Sequence, residues 1–464
     1  MTPASLAGSR VLIMGIGRRA GGAGAIRYAV ESGAQVRVTD RGDPASFHDI
    51  VEQFAGTPVE FVLGHHDEVD FGWADVVIRN PDVRRDSPYL RVAEEHGARI
   101  EMEMTLFLAA CAAPTIGVTG TKGKTTTAML THSILRERWP GTVVAGNMGR
   151  SALARLGDVD PDVPVILELS SFQLEGLGEH ALAPTVAVIT NVRPDHLDRY
   201  PSFDAYADAK AQIVRHQHTH DWKVVPADDP AVDALVSGTP APPITFGDDP
   251  VGPRTLFVAD GHFVASWDGG DLDLGPVDAL RVPGAHNRRN ALAAAGAALA
   301  VGVTADEVRR GVARFDGVPH RLEPVATIAG VDFVNDTTAT TPEDAEAALR
   351  AFPGRPVVAI AGGFDKGLDL DALVAALNDQ AVATVLLAGS ATPGLQDRLA
   401  RDTTAGPFDS MRDAVQAAVS LAPDGAVVLL SPGCASFGLF VDEFDRGDQF
   451  RDAVHALEPG RRPR

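Results

Sequence analysis

Short apolar runs recur along the chain: Val11–Met14, Val36–Thr39, Val76–Ile78, Thr115–Val118, Val163–Leu167, Val186–Thr190, Val357–Ala361, Thr384–Leu387 and Val427–Leu430. Each ends in glycine or a polar turn, and a segment with helical spacing follows. The runs are continuous rather than alternating. Strands buried on both faces carry that pattern, and helices flanking a parallel sheet cover both faces. Strands alternating with helices predict βαβ units. The expected fold is therefore α/β with largely parallel sheets, whose ligands sit beyond the carboxyl ends of the strands.

The helix-like segment EMEMTLFLAACAA runs out at Pro114, and GVPHRLEP, Gly317 to Pro324, breaks the pattern again. These breaks predict three domains, 1–113, 114–317 and 318–464, in line with about 100–200 residues per domain. Asp221–Pro283 is rich in Pro, Gly and Asp and reads as short strands and turns before the helix HNRRNALAAAGAALA.

Composition alters this picture mainly through charge. Lys+Arg number 41 against 62 Asp+Glu, a net charge of −21. Such a surface repels nucleic acid and anionic membranes, so no nucleic-acid partner is expected. An anionic ligand has to be caught locally, by helix N-termini, backbone N–H groups, a few lysines or a metal. The only two cysteines, Cys111 and Cys434, form no disulfide framework and suit a reducing compartment. No apolar stretch approaches the ~18–20 residues of a membrane span. The expectation is a cytoplasmic protein without membrane insertion.

GIGRRAGG follows the first strand. Gly15 and Gly17 permit a tight turn that brings N–H groups to a diphosphate, and Asp40 ends the next strand, where an acid can take a ribose or base edge. The spacing falls short of Gly-x-Gly-x-x-Gly, so a plain strand–helix turn fits equally. GVTGTKGKTTT, Gly117 to Thr127, is more specific. It has Val118 where the usual phosphate loop starts with glycine, yet it leaves a strand and enters the helix-like TTAMLTHSIL. Gly120 and Gly123 can adopt positive φ and expose successive N–H groups. Lys124 can reach the β/γ-phosphates and the Thr125 hydroxyl can bind Mg2+.

ILELSSFQLE puts Glu168 at a strand end, as a hard-cation ligand would be. TNVRPDHLDRY puts Asp195 and His196 at another, and Lys210 follows in the helix-like FDAYADAKAQI. Alone, each reads as a cap, a solvated acid or a surface lysine. On successive strand ends after a phosphate loop, they suggest a metal and phosphoryl-transfer centre. His216, His218 and His220 alternate, cannot share one helix face and lack completing ligands, so they read as surface residues.

TGTKGKTTT, LELSSFQLE, TNVRPDHLDRY, GAHNRRNALAA, VPHRLE, VNDTTATTP, GGFDKG and SPGCASF occur in the order found in Mur ligases. The chain resembles that family from the N-terminal glycine loop to about Gly447. ELSSFQLE, PHRLE and SPGCASF resemble the members that join glutamate to UDP-N-acetylmuramoyl-L-alanine. The resemblance implies three domains: an N-terminal Rossmann-like domain for the UDP part, a central P-loop ATPase-type domain, and a C-terminal Rossmann-like domain closing over ATP and glutamate. It implies ATP, two Mg2+ sites and a carbamylated Lys210, with UDP-N-acetylmuramoyl-L-alanine and glutamate, taken as the D-isomer, as partners of a monomer.

Carried over by motif, Gly120, Thr121, Lys122, Gly123, Lys124, Thr125 and Thr126 would hold the ATP phosphates. Asn287 and Asn290 would face adenine, Arg321 the phosphates or ribose, and Asp336 the ribose hydroxyls. Thr125 and Glu168 would serve one Mg2+ and His196 a second, with Lys210 as carbamate. Lys124, His196 and Lys210 would carry catalysis. Asn147, Ser170 and Gln173 would touch the muramoyl-alanine, with Gly15, Gly17 and Asp40 at the UDP part. Thr340, Lys366 and Ser436 would form the glutamate pocket, and His320 would mark the hinge.

Thr338 stands where many members have lysine. The segment FGLFVDEFDRG after Ser436 is slightly longer than expected and leaves Phe444 as the aromatic over the glutamate. An L-glutamate-adding variant and a folylpolyglutamate synthase-like ligase share these motifs. A nicotinamide-dependent oxidoreductase would leave the Lys124 loop unused, and a non-catalytic regulator would have no need of Glu168, His196 and Lys210.

Overall fold

The computed structural model describes residues 6–17, 21–148, 151–197, 199–282, 284–365 and 367–457. They gather into two compact units, Met1–Ala279 with Arg288–Arg314 and Leu280–Asn287 with Phe315–Arg464.

The first unit contains two sheets. β1 (Arg10–Met14), β2 (Gln35–Asp40), β3 (Val59–Leu63), β4 (Val76–Arg79) and β5 (Arg99–Glu101) are all parallel, in the order β3-β2-β1-β4-β5. Helix α1 (Gly21–Glu31) follows the glycine turn after β1.

The second sheet is built from β6 (Thr115–Thr119), β7 (Val144–Gly146), β8 (Val165–Glu168), β9 (Val186–Ile189), β10 (Trp222–Pro226), β11 (Pro243–Phe246), β12 (Arg254–Ala259), β13 (His262–Trp267) and β14 (Gly270–Pro276). Its order is β14-β13-β12-β11-β10-β9-β6-β8-β7. The strands from β7 to β12 are parallel, and β12, β13 and β14 form an antiparallel meander. β6 lies between β8 and β9, so the loops after these three strands emerge side by side at the ligand-binding end. Each leads to a helix: α2 (Lys124–Leu135), α3 (Ser171–Glu179) and α4 (Phe203–Arg215).

One apolar cluster runs through both sheets, from Val11, Ile13 and Val36 to Phe107, Leu167 and Ile189. The break at Pro114 thus separates two sheets inside one unit. Two local readings shift. The run expected from Val163 becomes a strand only at Val165, because Pro164 has no N–H to give a ladder. The Pro-rich Asp221–Pro283 segment yields β10 to β14 as expected, and also a helix, Pro230–Val236, capped by Asp229.

The second unit holds β15 (Glu323–Ile328), β16 (Val331–Asn335), β17 (Val357–Ala361), β18 (Ala381–Leu387), β19 (Thr404–Phe408) and β20 (Val427–Leu430), in the order β15-β16-β20-β17-β18-β19. Only β15 is antiparallel to its neighbour. Val357, Ala359 and Ala361 enter one apolar cluster, while Val358 and Ile360 enter another. Alternate residues feeding two cores mark a strand covered on both faces. Helix α5 (Glu443–His455) packs along β15 and β16.

Candidate active site

The phosphate-type loop runs from the end of β6 into α2. Gly120 has φ 152° and Gly123 φ 84°, the left-handed residue that caps α2. The loop is stitched to the end of β9. Asn191 O accepts from Thr121 N at 3.0 Å, Asn191 Oδ1 accepts from Lys122 N at 3.0 Å, and Asn191 Nδ2 donates to Lys122 O at 2.9 Å. Thr190 Oγ1 donates to the same carbonyl at 2.6 Å. A Cβ on Gly120 would overlap Thr190 Oγ1, and one on Gly123 would overlap Asn290 Oδ1. Lys124 curls over its own loop, with Nζ donating to Gly120 O at 3.0 Å and Thr121 O at 2.9 Å. Thr125 is half-buried and Thr126 buried in the first turn of α2, at the positive end of the helix dipole.

Lys210, 1% exposed, comes from α4 to the same loop. Its Nζ donates to Gly120 O at 2.9 Å and lies 4.7 Å from the centre of the Tyr206 ring. Burial first, and then the Lys124 charge, pull this amine down to about 7, against the opposing pull of Asp195 and Glu168. A neutral fraction of the amine therefore exists at neutral pH, and only a neutral amine can add to CO2. Tyr206 OH lies 3.1 Å from Thr121 Oγ1, and burial raises its phenol to about 12.

Glu168, at the end of β8, is 2% exposed. Its Oε1 accepts from Asn147 Nδ2 at 3.1 Å, while Oε2 is buried without a hydrogen-bond partner. An enclosed carboxylate oxygen is costly unless a cation meets it. His196 follows β9 at φ 52° and is half-exposed, with the Phe172 ring 5.1 Å away and Asp195 Oδ2 3.8 Å from its Nε2. Among the described residues no three His, Cys, Asp or Glu side chains gather for a metal. One cation here would use Glu168 with the Thr125 hydroxyl and a second would use His196, and Lys210 would join only as an anion. That donor set, with the orphaned Glu168 oxygen, fits Mg2+.

In the first sheet, Gly15 and Gly17 have φ of 84° and 69°, and Asn80 packs over both. Asp40 is occupied within this turn: Oδ2 accepts from Ile16 N and Oδ1 from Gly42 N, both at 2.8 Å. Ser170 and Gln173 form the capping box of α3, with Ser170 N donating to Gln173 Oε1 at 3.0 Å. Asn147 bonds Glu168, two residues before Ser170, through both its side chain and its backbone N–H.

In the second unit, Asp336 is enclosed. Its Oδ1 accepts from Leu322 N at 3.0 Å and its Oδ2 from Ser431 Oγ at 2.9 Å, and burial raises its carboxyl to about 7. Arg321 is close enough for its charge to act on Asp336. His320, at φ 67°, accepts through its carbonyl from Thr338 Oγ1 at 2.9 Å, and Phe444 stands edge-on to its ring at 5.4 Å. Thr340 lines a pocket with Phe364, Asp365, Leu370 and Gly433. Ser436 is buried two residues beyond Cys434, another lining residue. Lys366 lies outside the described residues. Asn287 is buried here, and Asn290, on the same helix Ala285–Ala300 but assigned to the first unit, is buried as well.

Residues not singled out from sequence also shape the site. Asn191 and Thr190 brace the phosphate loop. Arg446 is fully buried, with Nε donating to Thr337 Oγ1 at 2.9 Å, Nη2 to Thr337 O at 2.8 Å and Nη1 to Cys434 O at 3.1 Å. It ties together the loops that carry Thr340 and Ser436.

Residues 118–298 match the Mur ligase middle domain, and residues 320–434 the Mur ligase glutamate ligase domain. A UDP-N-acetylmuramoylalanine–D-glutamate ligase from Roseiflexus sp. (strain RS-1) is 45% identical, over 97% of this chain and 99% of its own. One from Symbiobacterium thermophilum is 37% identical, over 93% of this chain and 95% of its own.

The chain belongs to the Mur ligase family.

As a Mur ligase it is an ATP-dependent ligase of peptidoglycan-precursor synthesis, as the motif order implied. Solved structures agree in fold. UDP-N-acetylmuramate–alanine ligase from Thermotoga maritima covers 96% of this chain with a TM-score of 0.61 at 22% identity. A MurF ligase from the same organism, in complex with ADP, covers 90% with a TM-score of 0.56 at 19% identity.

Proposed function

We propose that this Mur ligase joins D-glutamate to UDP-N-acetylmuramoyl-L-alanine while converting ATP to ADP and phosphate. The observation carrying this reading is the meeting, beyond the neighbouring ends of β6 and β8, of the phosphate loop and the unpartnered Glu168 oxygen, with the buried Lys210 reaching the loop from α4. The name borne by the 45% identical relative supports the D-isomer.

In this reading the L-alanyl carboxylate attacks the γ-phosphate, the bond from the γ-phosphorus to the bridging oxygen breaks, ADP leaves and an acyl phosphate forms. The glutamate amine then attacks that carbonyl, and phosphate leaves. Both first reactants are anions, so cations must offset their repulsion. Lys124 leaves its resting bonds to the Gly120 and Thr121 carbonyls to meet the phosphates. The N–H groups at the start of α2 receive phosphate oxygens. Glu168 and Thr125 would hold one Mg2+ and His196 a second, and bound Mg2+ neutralises developing phosphate charge. Lys210 would assist as a carbamate, since an ammonium beside a cation repels it. Asn147, Ser170 and Gln173 border Glu168 and would hold the muramoyl-alanine, with Gly15, Gly17 and Asp40 at the UDP end. Asn287, Asn290, Arg321 and Asp336 would hold the nucleoside of ATP. Thr340, Ser436 and Lys366 would hold the glutamate. Residues 1–113 would bind the UDP part, 114–317 would bind ATP and carry the ligase chemistry, and 318–464 would close over ATP and glutamate, in a monomeric cytoplasmic enzyme.

Phosphate release should require UDP-N-acetylmuramoyl-L-alanine, ATP, Mg2+ and D-glutamate together. Release with L-glutamate alone would move the reading to the L-adding variant, and release with neither isomer would end it. Lys210→Ala should lose most activity, and added formate should partly restore it by supplying the missing anion. Full activity in the unsupplemented variant would refute the carbamate role.

A further inference from the structure

The turn carrying His196 is pinned to the loop after β4 through Arg199. Arg199 is 12% exposed. Its Nη1 donates to Asp82 O at 2.9 Å, and its Nη2 to Pro81 O at 3.1 Å and Glu175 Oε2 at 3.3 Å. Its guanidinium carbon lies 3.9 Å from the centre of the Phe172 ring, and that ring packs on His196. The link also runs in reverse, because Arg84 Nη1 donates to Arg199 O at 3.1 Å. Next along the chain, Tyr200 donates to Glu175 Oε1 at 2.7 Å and packs against Tyr206, the ring beneath Lys210. His196 itself closes the turn, its carbonyl accepting from Arg199 N and Tyr200 N at 3.0 Å.

We propose that Arg199 is a positioning residue that couples the Asn80–Arg85 loop, at the nucleotide end of the first sheet, to the placement of His196 and of the Tyr206–Lys210 pair. The proposal rests on the functional reading above, in which the first loop belongs to the UDP end and the second to the phosphate centre. A guanidinium suits this junction because its planar fork reaches three acceptors at once while its face stacks on a ring. Two of the acceptors are carbonyls of a loop from the other sheet. A sheltered arginine that spends its donors on backbone fixes where that backbone lies. His196 sits at a φ that a non-glycine residue holds only when its surroundings determine it. Phe172 and the turn closed by Arg199 N are part of those surroundings.

Arg199→Met keeps an unbranched stem over Phe172 and removes every donor. Binding of UDP-N-acetylmuramoyl-L-alanine by calorimetry, without ATP or metal, should weaken about tenfold. In the full assay kcat should fall by about the same factor, while the ATP KM stays within about twofold of wild type. Arg199→Lys should recover only part of both, because one ammonium cannot span the acceptors. Arg84→Met, at an exposed site, should weaken substrate binding in the same direction by a smaller factor. The double variant should be no worse than Arg199→Met alone, because both act through one junction. Unchanged substrate affinity in Arg199→Met with a native melting temperature would overturn the proposal. So would an ATP KM that rises in step with the substrate Kd. If Arg199→Met fails to fold, unchanged affinity in Arg84→Met overturns it instead. A wild-type protein that binds none of this substrate would sink the functional reading first, and the two failures are thereby told apart.

Discussion

At the scale of single residues, Asp336 and Lys210 are opposite consequences of burial. Asp336 accepts two hydrogen bonds, which favour its anion, while loss of water favours the neutral acid. Desolvation is the larger effect, and the carboxyl titrates at about 7, against about 3.9 in an unfolded chain. Between those values the folded protein keeps a proton that the unfolded chain has released. Stability therefore falls as pH rises from about 4 to about 7, and stays lower above that window. Asp336→Asn keeps an acceptor for Leu322 N and never ionises. Melts of the ligand-free protein should show the variant gaining on wild type as pH climbs from about 5 to about 8. A gap independent of pH would contradict this account. Exchanging one of the two carboxylate oxygens, the proposed ribose acceptors, for an amide NH2 should also raise the ATP KM, by about tenfold if one hydrogen bond is lost. For Lys210 burial disfavours the cation, which leaves near neutral pH the free amine that carbamylation needs.

At the scale of elements, the turn between β6 and α2 has no space for a side chain at Gly120. Its φ of 152° is strained for any other residue, and a Cβ would run into Thr190 Oγ1. Gly120→Ala should push the loop off the Thr190–Asn191 brace and cut turnover by about 100-fold or more. The cost in stability should be about 1–3 kcal/mol, measurable in denaturant melts. Near-normal turnover would show that the brace does not set the loop. This turn was legible in sequence because a phosphate loop demands glycine and lysine at particular places between a strand and a helix. The strands were legible because burial on both faces imposes continuous apolar runs, and only a ladder-breaking residue such as Pro164 shifted an edge. Glu168 stood out as an acid closing an apolar strand, whereas Lys210, which alone reads as a surface lysine, stood out only in company with the phosphate loop, Glu168 and His196. Asn191, Arg199 and Arg446 did not stand out. Their work consists of bonds to carbonyls that only folding brings within reach, and no spacing along the chain encodes that. The break at Pro114 was visible as a change of pattern, whereas the apolar cluster shared by the two flanking sheets is visible only in three dimensions.

At the scale of the whole molecule, the net charge of −21 sets a term common to every substrate. ATP, the UDP-linked acceptor and glutamate are all anions. The far field therefore opposes their approach, while Lys124, the α2 N-terminus and a bound cation attract them only at close range. Salt screens these two contributions unequally. Exposed charges farther apart than the Debye length, about 8–10 Å at ordinary ionic strength, lose most of their effect, whereas sheltered groups are screened much less. Added salt should thus weaken the repulsion more than the local attraction. The expected result is that kcat/KM for the UDP-linked substrate rises as ionic strength increases from about 10 to about 150 mM, the reverse of an enzyme that steers its ligand by long-range attraction. The measurement needs fixed free Mg2+ and saturating ATP, so that only the encounter with the acceptor varies. A kcat/KM that falls steeply with salt would mean that a patch of positive potential extends well beyond the strand ends. The capture of anions would then lie with exposed arginines around the loops after β4 and β9, rather than with Lys124 and the α2 N-terminus.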